Sequence, residues 1–435
     1  MPTTTVNVAT SDDFDVAVRE RAGAVFIRGW DFPALRVLEW VTALTLCGCG
    51  SVPAVPTLEF LRELYVVDCP ALGAVEPQPA LVRLELVRCP LVSRLLVFVT
   101  GRSAGRVRLD RFAADNCGKL VHVPPAHAIE LTSCFNVRLG TQAMACARSI
   151  TVRACGRLVR VPSAPHLAEA EFCRCPSLAH VGPNFPVLAR LRLATCPSLT
   201  HLPPRLPALT KLVISNDLAE VAKNGWEAKL AHIPAYPLLD WLCIDDCPGI
   251  TRIEGQPRVT SMFLKNCGSA PPFPLPRLER LVMHSMAQNM QYAYPVLDEL
   301  DLFDCTNILR LPRQPRLRSL FLSGCTNLET VFSCPGLTSL EVRECHGVTD
   351  PGVHPALERL VLSGCAGLRT IAHTYARLVH LHIESCPRLA HGAPQPRLAE
   401  VRAWYLERPV LNVIRTMTSI PPGRWSYIGL PKHKQ

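Results

Sequence analysis

The chain has 435 residues, of which 48% are apolar, 19% charged and only 6% aromatic. That apolar fraction excludes a wholly disordered chain, and 40 prolines exclude a bundle of long helices, because proline breaks helix interiors. The formal net charge of +10 leaves nucleic acid and acidic membranes open as partners until the charges are placed.

Taken from the N-terminus, the first 30 residues contain the adjacent Asp12 and Asp13 and no long apolar run, which predicts no secretory leader. Nowhere do 18 uncharged apolar residues follow one another, so no membrane-spanning helix is expected. Asp12 and Asp13, followed by Phe14, Val16 and Val18, predict a short capping helix within an N-terminal cap at 1–24. From residue 25 the chain repeats. An apolar-x-apolar-x-x-Cys motif recurs at Cys49, Cys69, Cys89, Cys117, Cys134, Cys155, Cys175, Cys196, Cys247, Cys267, Cys305, Cys325, Cys345, Cys365 and Cys386. Asp217 and Met286 hold the same slot in two further copies. Most intervals are 19 to 21 residues; the longest runs from Asp217 to Cys247 and carries an insertion at 218–236. A longer frame surrounds each slot, as in Pro295, Leu297, Leu300, Leu302, Cys305, Ile308 and Leu311. Worn copies, Val25-x-Ile27-x-x-Trp30 and Val401-x-Ala403-x-x-Leu406, flank about 17 central repeats. The array therefore occupies 25–406. A C-terminal cap and tail at 407–435 follows, with Leu406 to Met417 as a candidate helix.

Each Leu-x-Leu reads as a short strand with its leucines on one face. One such strand cannot bury that face alone, so neighbours stack as a parallel sheet. The slot falls where the chain leaves the strand. A small thiol can be buried there and donate weakly to backbone. Proline and glycine then shape the return path.

The pattern L-x-x-L-x-L-x-x-N/C-x-L resembles the leucine-rich repeat superfamily, at the short end of its range of repeat lengths. With cysteine in the asparagine slot, it is similar to intracellular arrays of plant disease-resistance and bacterial-effector type, without their nucleotide-binding or ubiquitin-ligase domains. The resemblance implies an α/β-type solenoid. In it, a parallel β-sheet lines the concave face of a horseshoe, and the convex side is mostly extended, turn or 3₁₀ structure. It implies a binding scaffold in function. Extracellular members carry disulfides in their caps, whereas no cysteine here precedes Cys47 or follows Cys386, and no N-x-S/T sequon occurs. Reduced thiols and an intracellular, cytoplasmic protein are expected.

No phosphate-binding loop, dinucleotide fingerprint, H-E-x-x-H or G-x-S-x-G motif occurs, so neither catalysis nor a cofactor is expected. Cys47-x-Cys49, Cys173-x-Cys175 and Cys243-x₃-Cys247 are the closest cysteine pairs, but paired C-x₂-C knuckles are lacking and no metal site is expected. His380, His382 and Glu384 share one strand face and read as a polar surface strand. The concave positions hold eleven acids and ten bases, a near-neutral mixture that favours a protein partner over nucleic acid, a membrane or a small-molecule substrate. Aromatics are rare, yet Trp241, Phe263, Phe303 and Phe321 fall in concave columns of nearby repeats, with Val282 among them and Lys265 and Arg280 at the rim. Such a stripe is a candidate partner-binding site, and Trp226 in the insertion is a second candidate. The reading is a non-enzymatic protein–protein interaction scaffold. The alternative is the substrate-recognition subunit of a ubiquitin ligase whose catalytic part is another chain. Nucleic-acid binding on the basic convex side ranks third.

Overall fold

The computed structural model describes residues 5–29, 35–95, 109–225, 228–269, 271, 275–286, 290–420 and 426–429, the last four for backbone only. Trp30 and Trp226 lie outside the described residues.

The chain divides into two units, Met1–Ala231 and His232–Gln435. In the first, strands Thr5–Val8, Ala24–Arg28, Ala43–Cys47, Glu63–Val67, Arg83–Val87, Leu109–Asp115, Ala126–Thr132, Ser149–Arg153, Glu169–Cys173, Arg190–Ala194 and Lys211–Ser215 each pair in parallel with the next. In the second, the same holds for Trp241–Asp245, Ser261–Lys265, Arg280–His284, Glu299–Phe303, Ser319–Ser323, Ser339–Arg343, Arg359–Ser363, His380–Glu384, Glu400–Leu406 and Ser426–Gly429. The register places leucine on leucine: Leu300, Leu320, Leu340, Leu360 and Leu381 form one row. Both strand leucines of each repeat point into the core, as with Leu300 and Leu302 at 0% exposure. A one-residue slip would turn the whole row to solvent, so burial itself fixes the register.

At every slot cysteine, and at Met286, the chain leaves the strand through a left-handed residue immediately before the slot. Asp68, Arg88, Asn116, Ser133, Ala154, Arg174, Thr195, Asp246, Asn266, Asp304, Glu344 and Ser385 all have φ between +43° and +54°, and Gly48, Gly324 and Gly364 take the same place. The turn drives the slot thiol inward, where it reaches two carbonyls. Cys89 Sγ lies 3.7 Å from the carbonyl oxygen of Val66 in the preceding repeat and 3.4 Å from that of Val87 in its own. Cys365 repeats this with Val342 and Ser363 at 3.5 and 3.4 Å. The two non-cysteine slots differ as their chemistry requires. Met286 Sδ accepts from the Cys267 thiol at 3.6 Å. Asp217 caps the helix Leu218–Lys223, accepting from the Glu220 N–H at 3.1 Å, a short polar side chain at a helix start.

On the return side, two-residue strands pair between repeats: Ala54–Val55, Ala74–Val75 and Arg94–Leu95 in the first unit, and Thr370–Ile371 with His391–Gly392 in the second. Between them sit fully buried glutamines. Gln78, Gln256, Gln314 and Gln395 each accept a backbone N–H of the preceding repeat, from Leu58, Tyr236, Tyr294 and Tyr375 at 2.8 to 3.0 Å. Each also donates to a carbonyl there, of Pro56, Pro234, Tyr292 and His373. His354, also buried, takes the same place: the Cys334 N–H donates to Nδ1 at 3.3 Å, and Nε2 lies 2.9 Å from the Pro351 carbonyl.

Helix Ser11–Arg19 joins the first two strands of the first unit, opened by a capping box between Thr10 and Asp13. The strand Thr5–Val8 that precedes it falls outside the repeat frame and carries no sequence signal of its own. Helix Arg408–Met417 buries Val410, Ile414 and Met417 and precedes the strand Ser426–Gly429.

Candidate functional site

In the second unit the outward positions of the strands form three rows. The first runs Trp241, Ser261, Arg280, Glu299, Ser319; the second Cys243, Phe263, Val282, Asp301, Phe321; the third Asp245, Lys265, His284, Phe303, Ser323. Strand alternation alone places them there, since their neighbours on each strand are core leucines, isoleucines and methionines.

The candidate residues are brought together only in part. Phe263 and Val282 are side-by-side partners, extended by Cys243. Phe303 lies one row over and packs on Phe321 with ring centroids 5.0 Å apart and a 37° interplanar angle. His284 stacks on Phe303 at 5.8 Å, and the Arg343 guanidinium lies 5.8 Å over the Phe321 ring. Asp301 stands between Val282 and Phe321 in the central row. Trp241 occupies the first row, beside Ser261. Trp241 is half-buried, as are Cys243, Phe263, Val282, Phe303 and Phe321. They therefore form two apolar clusters parted by a carboxylate rather than one unbroken stripe.

The rim bases are matched within the face. Lys265 Nζ lies 3.0 Å from both Asp245 and Asp246, and those carboxylates hold its ammonium above the ordinary lysine value. Arg280 reaches Glu299 at 3.4 Å and Asp301 at 3.6 Å. Burial pushes the Asp301 carboxyl up. Arg343 pairs with Glu341 at 2.5 Å, and Asp304 approaches His284 at 3.6 Å. Asp245, Asp246, Glu299, Asp301, Asp304 and Glu341 thus outnumber Lys265, Arg280 and Arg343. Asp246 and Asp304 are left-handed turn residues at the strand ends, and a tally restricted to strand columns passes over them. The sheet face of the first unit is laced instead with cross-strand ion pairs: Arg83–Glu63, Arg111–Glu130, Arg153–Glu171 and Arg190–Glu169, at 2.8 to 3.4 Å. Each is exposed and worth at most about 1 kcal/mol.

Parallel strands one repeat apart, with leucine on leucine and the slot residue turned under the preceding strand, decide the class of architecture. Each unit folds as a leucine-rich repeat solenoid. No family model matches the chain, and no curated protein matches it. Among solved structures, the crystal structure of a TLR13–ssRNA13 complex aligns with 98% of this chain and 78% of that one, at 12% identity and a TM-score of 0.46. A leucine-rich repeat protein from Bacteroides ovatus covers 88% of each chain at 12% identity, with a TM-score of 0.26.

Two features of the second leucine-rich repeat unit carry no signal in the repeat frame. Trp404 packs edge-on against His382 at 4.8 Å, although Trp404 belongs to the worn final repeat. His284 joins the aromatic pair, although a histidine on an outward column reads as ordinary polar surface.

Proposed function

We propose that the chain is a non-enzymatic protein-interaction scaffold that takes a partner protein on the sheet face of its second unit. The observation that carries this reading is the pair of half-exposed apolar clusters, Cys243/Phe263/Val282 and Phe303/Phe321, held on rigid strands. Rigid aromatic anchors lose little conformational entropy on binding and are where interface energy concentrates. The mixed-sign charge around them favours a protein over a nucleic-acid backbone, which selects for unbroken positive potential. The reading includes an intracellular home with reduced thiols, supported by slot sulfurs that lie within hydrogen-bond reach of backbone carbonyls, as at 3.7 Å for Cys89 and 3.5 Å for Cys365.

The test is affinity purification from the native host, identification of the partner, and measurement of its affinity for the Phe263→Glu/Phe321→Glu double variant. Two hot-spot aromatics replaced by charges are expected to weaken binding by at least about tenfold. An unchanged affinity in a variant that melts like the wild type would reject the site.

A further inference from the structure

The sheet face of the second unit holds a small, half-open cavity where strands Arg359–Ser363, His380–Glu384 and Glu400–Leu406 adjoin. Its volume is about 130 Å³, and Arg359, Val361, His380, His382, Glu400 and Arg402 line it. At about 30 Å³ per water it has room for roughly four waters, or one small polar group. The register explains the gathering: Arg359, His380 and Glu400 form one row, and Val361, His382 and Arg402 the next.

The charges that line this cavity do not balance. Its one lining carboxylate, Glu400, accepts from Arg402 Nε at 2.7 Å and lies 2.9 Å from His380 Nδ1. These partners hold its carboxyl below the ordinary glutamate value. Arg402 alone neutralises it. The Arg359 guanidinium, by contrast, makes no hydrogen bond or ion pair among the described residues, although it lines the same space. His382 adds a second unmet group. Its side chain is only 19% exposed, and its Nε2 is buried without a hydrogen bond, 3.6 Å from Glu384. Trp404 closes that side, edge-on to the imidazole. Val361, 5% exposed, supplies an apolar floor. A guanidinium with free donors, a second with donors to spare and an unsatisfied imidazole around a small void form a receptor for negative charge.

We propose that this cavity is an oxyanion site, in which Arg359 and the terminal nitrogens of Arg402 hold a carboxylate or phosphate group between the walls formed by His380 and His382. The group comes either from an acidic side chain of a protein partner or from free phosphate. The site is separate from the aromatic clusters, and the two stand or fall independently.

The test uses the full chain with ¹³C-labelled histidine, its His380 and His382 resonances assigned through H380Q and H382Q. It is titrated at constant ionic strength with inorganic phosphate in one arm and with acetyl-Ala-Glu-Ala-amide in the other. A saturable shift of the two resonances is expected in at least one arm. Saturation by phosphate alone identifies free phosphate as the source, and saturation by the peptide alone identifies an acidic side chain. Saturation by both marks a general oxyanion site. Arg359→Gln, at an exposed position, is expected to weaken the binding at least tenfold, and Arg359→Lys less, because it keeps the charge and loses the fork. No saturable shift in either arm overturns the proposal, as does an Arg359→Gln protein with wild-type melting and unchanged affinity.

Discussion

The residue before each slot cysteine adopts a backbone that side chains ordinarily avoid. For a residue with a Cβ, the left-handed region costs about 1–2 kcal/mol. Ala154 nevertheless sits there at φ +54°, and Arg88 at +52°, because the strand before and the thiol after are held by neighbouring repeats. Ala154→Gly is expected to gain up to about 1 kcal/mol, the relief being partly offset by the entropy of an extra glycine in the unfolded chain. Gly324→Ala is expected to lose about 1–2 kcal/mol, since a Cβ at φ +65° is strained and the exposed Asp304 carboxylate beside it must swing aside. Urea midpoints on the two variants check the opposite signs. The slot cysteines were legible in the sequence as a spacing. The left-handed residue was not, because Asp, Arg, Asn, Ser, Ala, Thr, Glu and Gly all serve there, and no residue type marks the place. Thiol chemistry follows from the same geometry. Burial pushes Cys155 and Cys247 well above the ordinary thiol value, a hydrogen bond with the Cys196 thiol and burial do the same for Cys175, and burial takes Cys173 up to about 11. Only Cys47, Cys173, Cys196 and Cys243 keep partial exposure. Alkylation of the native protein near pH 8 is expected to reach these four at most, Cys173 slowly, with the remainder labelled only in denaturant. Mass mapping of the modified peptides reads the outcome, and rapid native labelling of Cys155 would contradict it.

Among the elements, the buried glutamines show how one repeat completes the next. Glutamine is usually a surface residue, and nothing in the dipeptides Gln78-Pro79, Gln256-Pro257, Gln314-Pro315 and Gln395-Pro396 marks them for burial. Their burial becomes favourable only once the preceding repeat offers an N–H and a carbonyl. His354 meets the same demand with a titratable ring. Nδ1 must accept from the Cys334 N–H, so the proton sits on Nε2, facing the Pro351 carbonyl. Protonating Nδ1 forfeits the first bond, and burial pulls the His354 pKa below the ordinary 6.5. The unfolded chain therefore binds the proton more readily than the folded one. The contribution of His354 is fully present above about pH 6.5. It is lost as the pH falls below that value, at up to about 1.4 kcal/mol per pH unit, until the folded-state pKa is passed. His354→Gln, which copies its neighbours, is expected to match the wild type near pH 7.5 and to lose less stability between pH 6.5 and 5. Denaturant unfolding across that range measures the difference; parallel pH profiles would show that His354 does not titrate in this way.

For the whole molecule, the repeat frame, the parallel strands and the buried leucine rows were readable because each is a spacing. The candidate site was readable only as columns. Which aromatics touch depends on register and rotamer, so the separation of Phe263/Val282 from Phe303/Phe321 by Asp301 emerges only in three dimensions. Charge shows the same limit. The chain carries a formal +10, yet the residues around the aromatic clusters carry more acids than bases. A partner for this face is expected to be basic around an apolar anchor. Its association rate is then expected to fall as NaCl rises from 50 to 500 mM, where the screening length shrinks from over 10 Å to below 5 Å. Stopped-flow mixing with the identified partner gives the slope, and a salt-independent rate would contradict the acidic face.

The glutamine clamps all serve the repeat before their own, as when Gln395 satisfies Tyr375 and Gln314 satisfies Tyr294. In these clamps each repeat depends on the one after it. Shortening the array from the C-terminal end strands a buried amide in the repeat newly left last. Shortening it from the N-terminal end strands other groups, the N–H groups that donate one repeat back, such as those of Arg318 and Ser319 to the Asp298 carbonyl. The Gln395 N–H itself is met by the Met417 carbonyl at 2.7 Å, at the end of helix Arg408–Met417. That helix thus closes the last of the glutamine-clamped repeats, and a graft that extends or shortens the array at this end succeeds only if it carries the helix with it.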